Sequence, residues 1–130
     1  FSGMKTAVLY TVRDLPAQAE LTDDEKMALA AEFETAAVEV LVKKTTKAAE
    51  EFHTPTIIVG GGVAGNTYLR SELAKVVQEK LPQTTVLFPE PWLATDNAVM
   101  IGLAALSQIK SGQIKTRNPD ELRADGNLSL

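Results

Sequence analysis

The fold is decided by residues 56–66, which read TIIVGGGVAGN. Thr56 to Val59 form a short continuous run of β-branched and apolar residues, which is typical of a strand buried on both faces of a parallel sheet. Three glycines end this strand, and the sequence that follows predicts a helix over about residues 64–80. A strand, a glycine turn and a helix in this order indicate an α/β protein.

The downstream sequence repeats the same alternation. Residues 84–88 (TTVLF) predict a second strand, and Thr95-Asp96-Asn97 opens a last helix that reaches about Ser111. Strands that alternate with helices imply parallel strands joined by right-handed crossovers. Two strands are too few for a self-sufficient sheet, so the chain is expected to be part of something larger.

The upstream sequence predicts two helices. The first covers residues 2–13, and the second begins at the capping box Thr22-x-x-Glu25 and reaches about Glu51. The fold class predicted for the whole is therefore α/β, with about four helices and two short parallel strands. The buried face of the first helix is expected to carry Met4, Val8, Leu9 and Val12. That of the second helix is expected to carry Leu29, Phe33, Ala36, Ala37, Val40, Leu41 and Ala48. That of the helix over residues 64–80 is expected to carry Leu69, Leu73, Val76 and Val77.

Composition narrows the class of protein further. The chain has 130 residues, 45% of them hydrophobic and 23% charged, as expected for one globular domain. It contains no cysteine, which excludes disulfides, thiolate metal sites and a cysteine nucleophile. The net charge is −4, whereas a freestanding nucleic-acid binder usually has a surplus of basic residues. No membrane span or signal peptide is visible, and the start at Phe1 favours a fragment of a longer protein.

The turn Gly60 to Asn66 is the first candidate site. A junction between a strand and a helix presents free backbone N–H groups and the positive end of the helix dipole, and glycines let a ligand approach the backbone. Asn66, placed in the first helical turn, can both donate and accept hydrogen bonds. The alternative is a tight structural turn with a polar cap. The stretch matches neither the dinucleotide fingerprint nor the P-loop.

Thr95-Asp96-Asn97 is the second candidate site. Thr95 or Asp96 could cap the helix, or Asp96 could aim its carboxylate into a cleft and bind a metal ion. Both candidate junctions follow strands, and the carboxyl ends of parallel strands are where ligands gather. A pocket shared by the two junctions is therefore compatible with the sequence.

Three other residues or pairs carry reactive or aromatic groups. Ser2 and Lys5 have the spacing of Ser-x-x-Lys enzymes, but the partner motifs of those enzymes are missing. His53, the only histidine, is expected to lie on the surface at the end of the long helix. Trp92 is predicted to anchor the connection between residues 88 and 95 by packing.

Three motifs together resemble one family, the TsaD-type tRNA threonylcarbamoyltransferases of bacteria. The segment FSGMKT at residues 1–6 is similar to F-S-G-L-K-T of that family, GGVAGNTYLR at 61–70 to G-G-V-x-x-N-x-x-L-R, and TDNAVMI at 95–101 to T-D-N-x-x-M-I. Order and spacing agree too. The resemblance covers about residues 1–112, which would be part of the C-terminal lobe, and leaves 113–130 as a polar tail.

The resemblance implies a fold and an activity. The fold would be a lobe of the actin-like ATPase type, which is ribonuclease H-like. The activity would be transfer of a threonylcarbamoyl group from threonylcarbamoyl-adenylate to N6 of the adenosine next to the tRNA anticodon, in the cytoplasm. The partners implied are tRNA and TsaB- and TsaE-like proteins, and a fragment is expected to be inactive alone.

The resemblance also assigns residues. Asn66 would contact the adenylate, and Gly61 and Gly62 would form the wall beside its adenosine. Asp96 would complete the site of one divalent metal ion, iron or zinc, whose two histidine ligands lie in an N-terminal lobe outside this sequence. The tail after Lys115 lacks the basic, aromatic ending of many relatives, which leaves a tRNA contact there without support.

Two alternatives stay open at this point. One is another carbamoyltransferase of the same fold, of the hydrogenase-maturation type, which also carries a Gly-Gly-Val segment. The other is a non-catalytic interaction fragment that pairs with another chain. The motifs FSGMKT and Thr95-Asp96-Asn97 favour the tRNA-modifying family over the first alternative.

Overall fold

The computed structural model describes residues 1–14 and 20–113. The described part has two compact units, one ending at Ala94 and the other beginning at Thr95. Its helices and strands, in chain order, are α1 (Ser2–Arg13), α2 (Asp23–Glu51), β1 (Thr56–Ile58), α3 (Thr67–Lys80), β2 (Thr85–Leu87) and α4 (Ala98–Lys110). Short 3-10 turns cover Gly62–Gly65 and Pro91–Leu93.

The two strands form a parallel pair, as the alternation of strands and helices predicted. Thr56 lies opposite Thr85, and Ile58 lies opposite Leu87. The backbone N–H of Val59 donates to the carbonyl oxygen of Leu87 at 2.9 Å, which extends the pairing beyond the end of β1. The α/β class, the four helices and the two short parallel strands are thereby confirmed for the described residues.

The core of the first unit lies between α2, α3 and one face of the sheet. Its buried residues are Val38 and Val42 from α2 and Leu69, Leu73 and Val77 from α3. Ile57 and Val86, at the centres of the two strands, pack against this cluster. The predicted buried face of α3 is confirmed, with Val76 half-buried beside it.

The strands are not buried on both faces, and that prediction was wrong for the first unit. Ile58 is 78% exposed and Leu87 is 49% exposed, although both are large and apolar. Alternate side chains of a strand point to opposite sides of the sheet. The helices α2 and α3 pack on the side of Ile57 and Val86, so the side of Ile58 and Leu87 is left open within this unit.

The buried face of α2 differs from the predicted one. Val38, Val42, Thr46 and Ala49 are buried, whereas three residues of the predicted face are exposed. The other four residues of the predicted face are half-buried, but contact with α3 fully buries positions one or two residues further along the helix. Thr46 is tolerated in this core because its hydroxyl donates to the carbonyl oxygen of Val42 at 2.8 Å. The exposed positions are Ala36, Val40 and Ala48.

The first helix packs loosely. Met4 and Val8 are half-buried as predicted, but Leu9 is 60% and Val12 is 44% exposed. A cleft of about 520 Å³ separates α1 from the first turns of α2, and it is lined mainly by apolar side chains and by Lys5 and Lys26. The capping box predicted at the start of α2 is present, with the Thr22 hydroxyl accepting from the Glu25 N–H. Among the described residues, the structure contains no helix both long and apolar enough to cross a membrane.

Candidate functional site

The glycine turn leaves β1 and reaches α3 through a 3-10 turn rather than directly. Gly61 has φ +83° and ψ 175°, a conformation that only glycine adopts without strain. The N–H of Ala64 then donates to the carbonyl oxygen of Gly61 at 2.9 Å. The predicted helix start near residue 64 was therefore wrong, because this turn takes up residues 62–65 and α3 begins at Thr67.

The space above the turn is open. A Cβ atom added to Gly60, Gly61 or Gly62 would meet nothing within 4 Å, and all three residues are exposed. Gly65, in contrast, faces the Cβ of Ala94 at 3.8 Å. The backbone conformation explains why residue 61 is glycine, whereas neither conformation nor packing in the first unit explains Gly60 and Gly62. Their small size leaves the exposed backbone accessible to a ligand.

Asn66 is the N-cap of α3, not a residue of its first helical turn, which corrects the predicted placement. Its side-chain oxygen accepts a hydrogen bond from the N–H of Leu69 at 2.8 Å. Its side-chain nitrogen donates to a carboxylate oxygen of Glu34, on α2, at 2.7 Å. An asparagine amide has two donor hydrogens and two acceptor lone pairs, so one of each remains for a ligand.

Glu34 was not singled out by any pattern in the sequence, yet it contacts Asn66 in the structure. It is 32 residues away from Asn66 along the chain, and no local pattern connects the two. Only the packing of α2 on α3 brings them together. The contacts of Asn66 are therefore compatible with both alternatives. The turn can be a purely structural, capped junction, or it can also bind a ligand.

Arg70 braces the turn from within α3. Its Nε donates to the carbonyl oxygen of Ala64 at 2.5 Å, and its Nη2 donates to the carbonyl oxygen of Pro89 at 2.5 Å. The guanidinium carbon also lies 5.1 Å from the centre of the Phe88 ring. The sequence reasoning included Arg70 in a motif but gave it no role. Its planar, multi-donor head suits two carbonyl oxygens in different segments.

The second candidate, Thr95-Asp96-Asn97, belongs to the second unit. Asn97 caps α4, since its side-chain oxygen accepts from the N–H of Met100 at 3.0 Å and its side-chain nitrogen donates to the carbonyl oxygen of Thr95 at 2.8 Å. The alternative in which Thr95 or Asp96 caps this helix was wrong. Asn97 fits better because it places an acceptor three residues before the N–H of Met100 and still adopts extended backbone. Asp96 is exposed, and its carboxylate is left out of the cap.

Asp96 does not form a metal site by itself. Within residues 1–14 and 20–113, there is no group of three or more His, Asp or Glu side chains that could hold a metal ion. Protein-bound zinc takes about four ligands and harder cations take about six to eight, so one carboxylate is insufficient. Asp96 therefore cannot complete the coordination of a metal ion together with the other described residues alone.

Comparison with known proteins identifies the family. A family model described as "TsaD: tRNA N6-adenosine threonylcarbamoyltransferase" matches residues 1–103. The chain belongs to this family. The matched range contains both candidate junctions and the motif at residues 1–6.

Individual members of the TsaD family are similar over nearly the whole chain. A Thermosipho africanus protein is 43% identical over 112 residues, which are 86% of this chain and 32% of the relative. An Enterococcus faecalis protein is 37% identical over 91% of this chain and 33% of its own length, and one from Lactobacillus gasseri is 41% identical over 99% and 36%. All three carry the name tRNA N6-adenosine threonylcarbamoyltransferase. The chain spans about a third of their length.

The other residues singled out from the sequence do not form part of the glycine turn. Ser2 and Lys5 lie on α1, and no hydrogen bond joins their side chains among the described residues. His53 is exposed just beyond the end of α2, as predicted, and its φ is 49°. Trp92 is 63% exposed, so its prediction as a packing anchor was wrong. Ala94 is buried in that connection instead, because the 3-10 turn at Pro91–Leu93 directs this small residue toward Gly65.

Proposed function

We propose that the glycine turn and Asn66 form one wall of the adenylate site of a tRNA threonylcarbamoyltransferase. The reaction would move the threonylcarbamoyl group from threonylcarbamoyl-adenylate to N6 of the adenosine next to the tRNA anticodon. The observation that carries the proposal is the open space over Gly60, Gly61 and Gly62 beside the N-cap of a 14-residue helix. The relatives named for this reaction give the substrate class.

Each residue of the turn has a role in this proposal. Gly61 and Gly62 lie against the adenosine, because their exposed backbone has no side chain that would keep a flat ring away. Asn66 uses its unspent donor and acceptor to bind the adenylate. Arg70 keeps the turn in place through the carbonyl oxygen of Ala64 and does not itself contact the substrate.

The chemistry is acyl transfer to an exocyclic amine. The N6 nitrogen of adenosine attacks the threonylcarbamoyl carbonyl carbon, and the bond from that carbon to the adenylate phosphate oxygen breaks, with loss of a proton from N6. The residues of this chain contribute by holding the adenylate in line for attack, which removes orientational freedom before the reaction. No residue of this chain is assigned as general base.

The proposal also includes a metal ion, tRNA and protein partners, and a cellular compartment. Asp96 would supply one ligand to a divalent ion, iron or zinc, whose other ligands lie outside this chain. The whole enzyme would have an actin-like ATPase fold, bind tRNA, and work with TsaB- and TsaE-like proteins in the cytoplasm. Membership of the TsaD family supports this assignment.

The test is a titration of the isotope-labelled chain with threonylcarbamoyl-adenylate, followed by backbone amide NMR shifts. We expect the largest shifts at Gly60 to Asn66, and weak competition by carbamoyl-adenylate. The residues around the cleft of Val8 and Phe33 serve as an internal control and should not shift. Shifts confined to that cleft would contradict the proposed site. Stronger binding of carbamoyl-adenylate would favour the alternative carbamoyltransferase.

A further inference from the structure

We infer that Glu34 is a positioning residue for Asn66, and that it makes Asn66 specific for a ribose hydroxyl rather than for the phosphate of the adenylate. This inference rests on the proposed function, because it concerns the same site. It begins from the hydrogen bond of 2.7 Å that Asn66 Nδ2 donates to Glu34 Oε1.

The two protein contacts of Asn66 fix which way its amide faces. The oxygen is committed to the N–H of Leu69 and the nitrogen to the carboxylate of Glu34. If the amide were rotated by half a turn, its NH₂ group would face the N–H of Leu69 and its oxygen would face a carboxylate. Both contacts would then be repulsive. Without Glu34, only the bond to Leu69 would oppose other settings of the side chain.

The fixed amide has a defined chemical preference. One N–H and one lone pair remain, so the matching ligand group both accepts and donates a hydrogen bond. A ribose hydroxyl does both, whereas a phosphate oxygen only accepts. The negative charge of Glu34 next to Asn66 further disfavours a phosphate at this position. Of these two groups, the ribose hydroxyl is the one that matches Asn66, so the inference places the phosphate elsewhere along the turn.

The contact is suited to orientation more than to stability. Glu34 is exposed, and a hydrogen bond between exposed side chains contributes little to the free energy of unfolding because water competes for both groups. Loss of Glu34 should consequently change the order of the Asn66 side chain and the ligand preference, while the unfolding midpoint stays where it is.

The experiment compares three variants of the 130-residue chain with the wild type. Glu34→Ala removes the acceptor, and Glu34→Gln keeps an acceptor oxygen without the charge. Glu32→Ala is the matched control, because Glu32 is an exposed residue of the same helix two positions away and hence on another side of it. The readouts are the side-chain amide NMR signals of Asn66, the urea midpoint, and the affinities for adenosine and 2′,3′-dideoxyadenosine.

We expect the wild type to prefer adenosine over the dideoxy nucleoside by about tenfold, the size of one or two hydrogen bonds. Glu34→Ala should lose most of this preference and broaden the Asn66 amide signals, with an unchanged urea midpoint. Glu34→Gln should restore both readouts to within about twofold of the wild type, and Glu32→Ala should change neither.

The outcomes separate this inference from the proposed function. If the wild type prefers adenosine and Glu34→Ala keeps both that preference and ordered Asn66 signals, the positioning role is overturned and the nucleotide site stands. Equal wild-type affinity for the two nucleosides overturns the hydroxyl assignment alone. If the wild type binds no nucleoside, the nucleotide site fails, and with it any ligand role of Glu34.

Discussion

Arg70 donates a hydrogen bond to the carbonyl oxygen of Ala64, six residues before it in the chain, and so connects helix α3 to the turn that precedes it. The same guanidinium reaches Pro89, just beyond β2. The segments that follow the two parallel strands are thus held together by one side chain. The turn that carries the proposed adenylate contacts is kept in place by a residue that need not touch the substrate.

Replacement of Arg70 by alanine should lower the free energy of unfolding by about 2 kcal/mol, because two charge-assisted hydrogen bonds to carbonyl oxygens are lost in a half-buried site. Arg70→Lys should recover less than half of this loss, since an ammonium group cannot reproduce the spread of Nε and Nη2. Urea unfolding followed by circular dichroism measures both, with Lys75→Ala on the exposed side of α3 as control. Equal stability of Arg70→Lys and the wild type would contradict the bracing role.

Gly61 and Gly62 should respond differently to alanine. Gly61→Ala is expected to cost about 1–3 kcal/mol of stability, because φ +83° with ψ 175° is strained for any residue with a Cβ. Gly62→Ala should leave stability unchanged, since its Cβ would point into open space, but weaken adenosine binding by filling the space beside the turn. Thermal unfolding and calorimetric titration of the same samples separate the two effects. Full affinity in Gly62→Ala would argue against close approach of the ligand there.

The capping box at the start of α2 has a predicted pH signature. The backbone N–H of Thr22, and next its hydroxyl, donate to the carboxylate of Glu25 and lower its pKa below the ordinary glutamate value. A lowered pKa in the folded state means that the carboxylate stabilises the fold above the ordinary pKa, and that this contribution is lost as the pH falls through the lowered one. NMR titration of the Glu25 carboxyl carbon measures this.

Thr22→Val provides the matched variant for that titration, because it keeps the shape of the side chain and removes only the hydroxyl. The pKa of Glu25 should rise part of the way toward its ordinary value, since the larger contribution, from the backbone N–H, remains. An unchanged pKa in Thr22→Val would show that the hydroxyl takes no part in the capping box in solution.

The single carboxylate of Asp96 leads to a prediction about metal ions. The chain should bind no stoichiometric Zn²⁺ or Fe²⁺ at micromolar concentrations, because no group of three ligands exists among the described residues. Asp96→Asn should behave like the wild type in equilibrium dialysis. One tightly bound ion per chain that disappears in Asp96→Asn would contradict this account and would place a metal site within these residues.

The sequence predicted the elements well where local rules govern. The capping box marked the start of α2, and the β-branched run before three glycines marked β1. The predictions failed where tertiary contact decides, as for the buried face of α2, which is set by its contact with α3. The same distinction between local rules and tertiary contacts holds for the candidate site. Motifs pointed to Asn66 and Gly61 as candidates, but the contact of Asn66 with Glu34 spans 32 residues and no local pattern in the sequence predicts it.

The most direct test of the central claim is a chimera with the Thermosipho africanus relative, in which this chain replaces the matching third of that protein. Incorporation of labelled threonine into tRNA is then measured for the chimera and for its Asn66→Ala form. The account predicts transfer by the chimera, and a loss of at least about tenfold in kcat/KM for Asn66→Ala with the fold retained. A folded chimera without transfer, or an Asn66→Ala form as active as its parent, would contradict it.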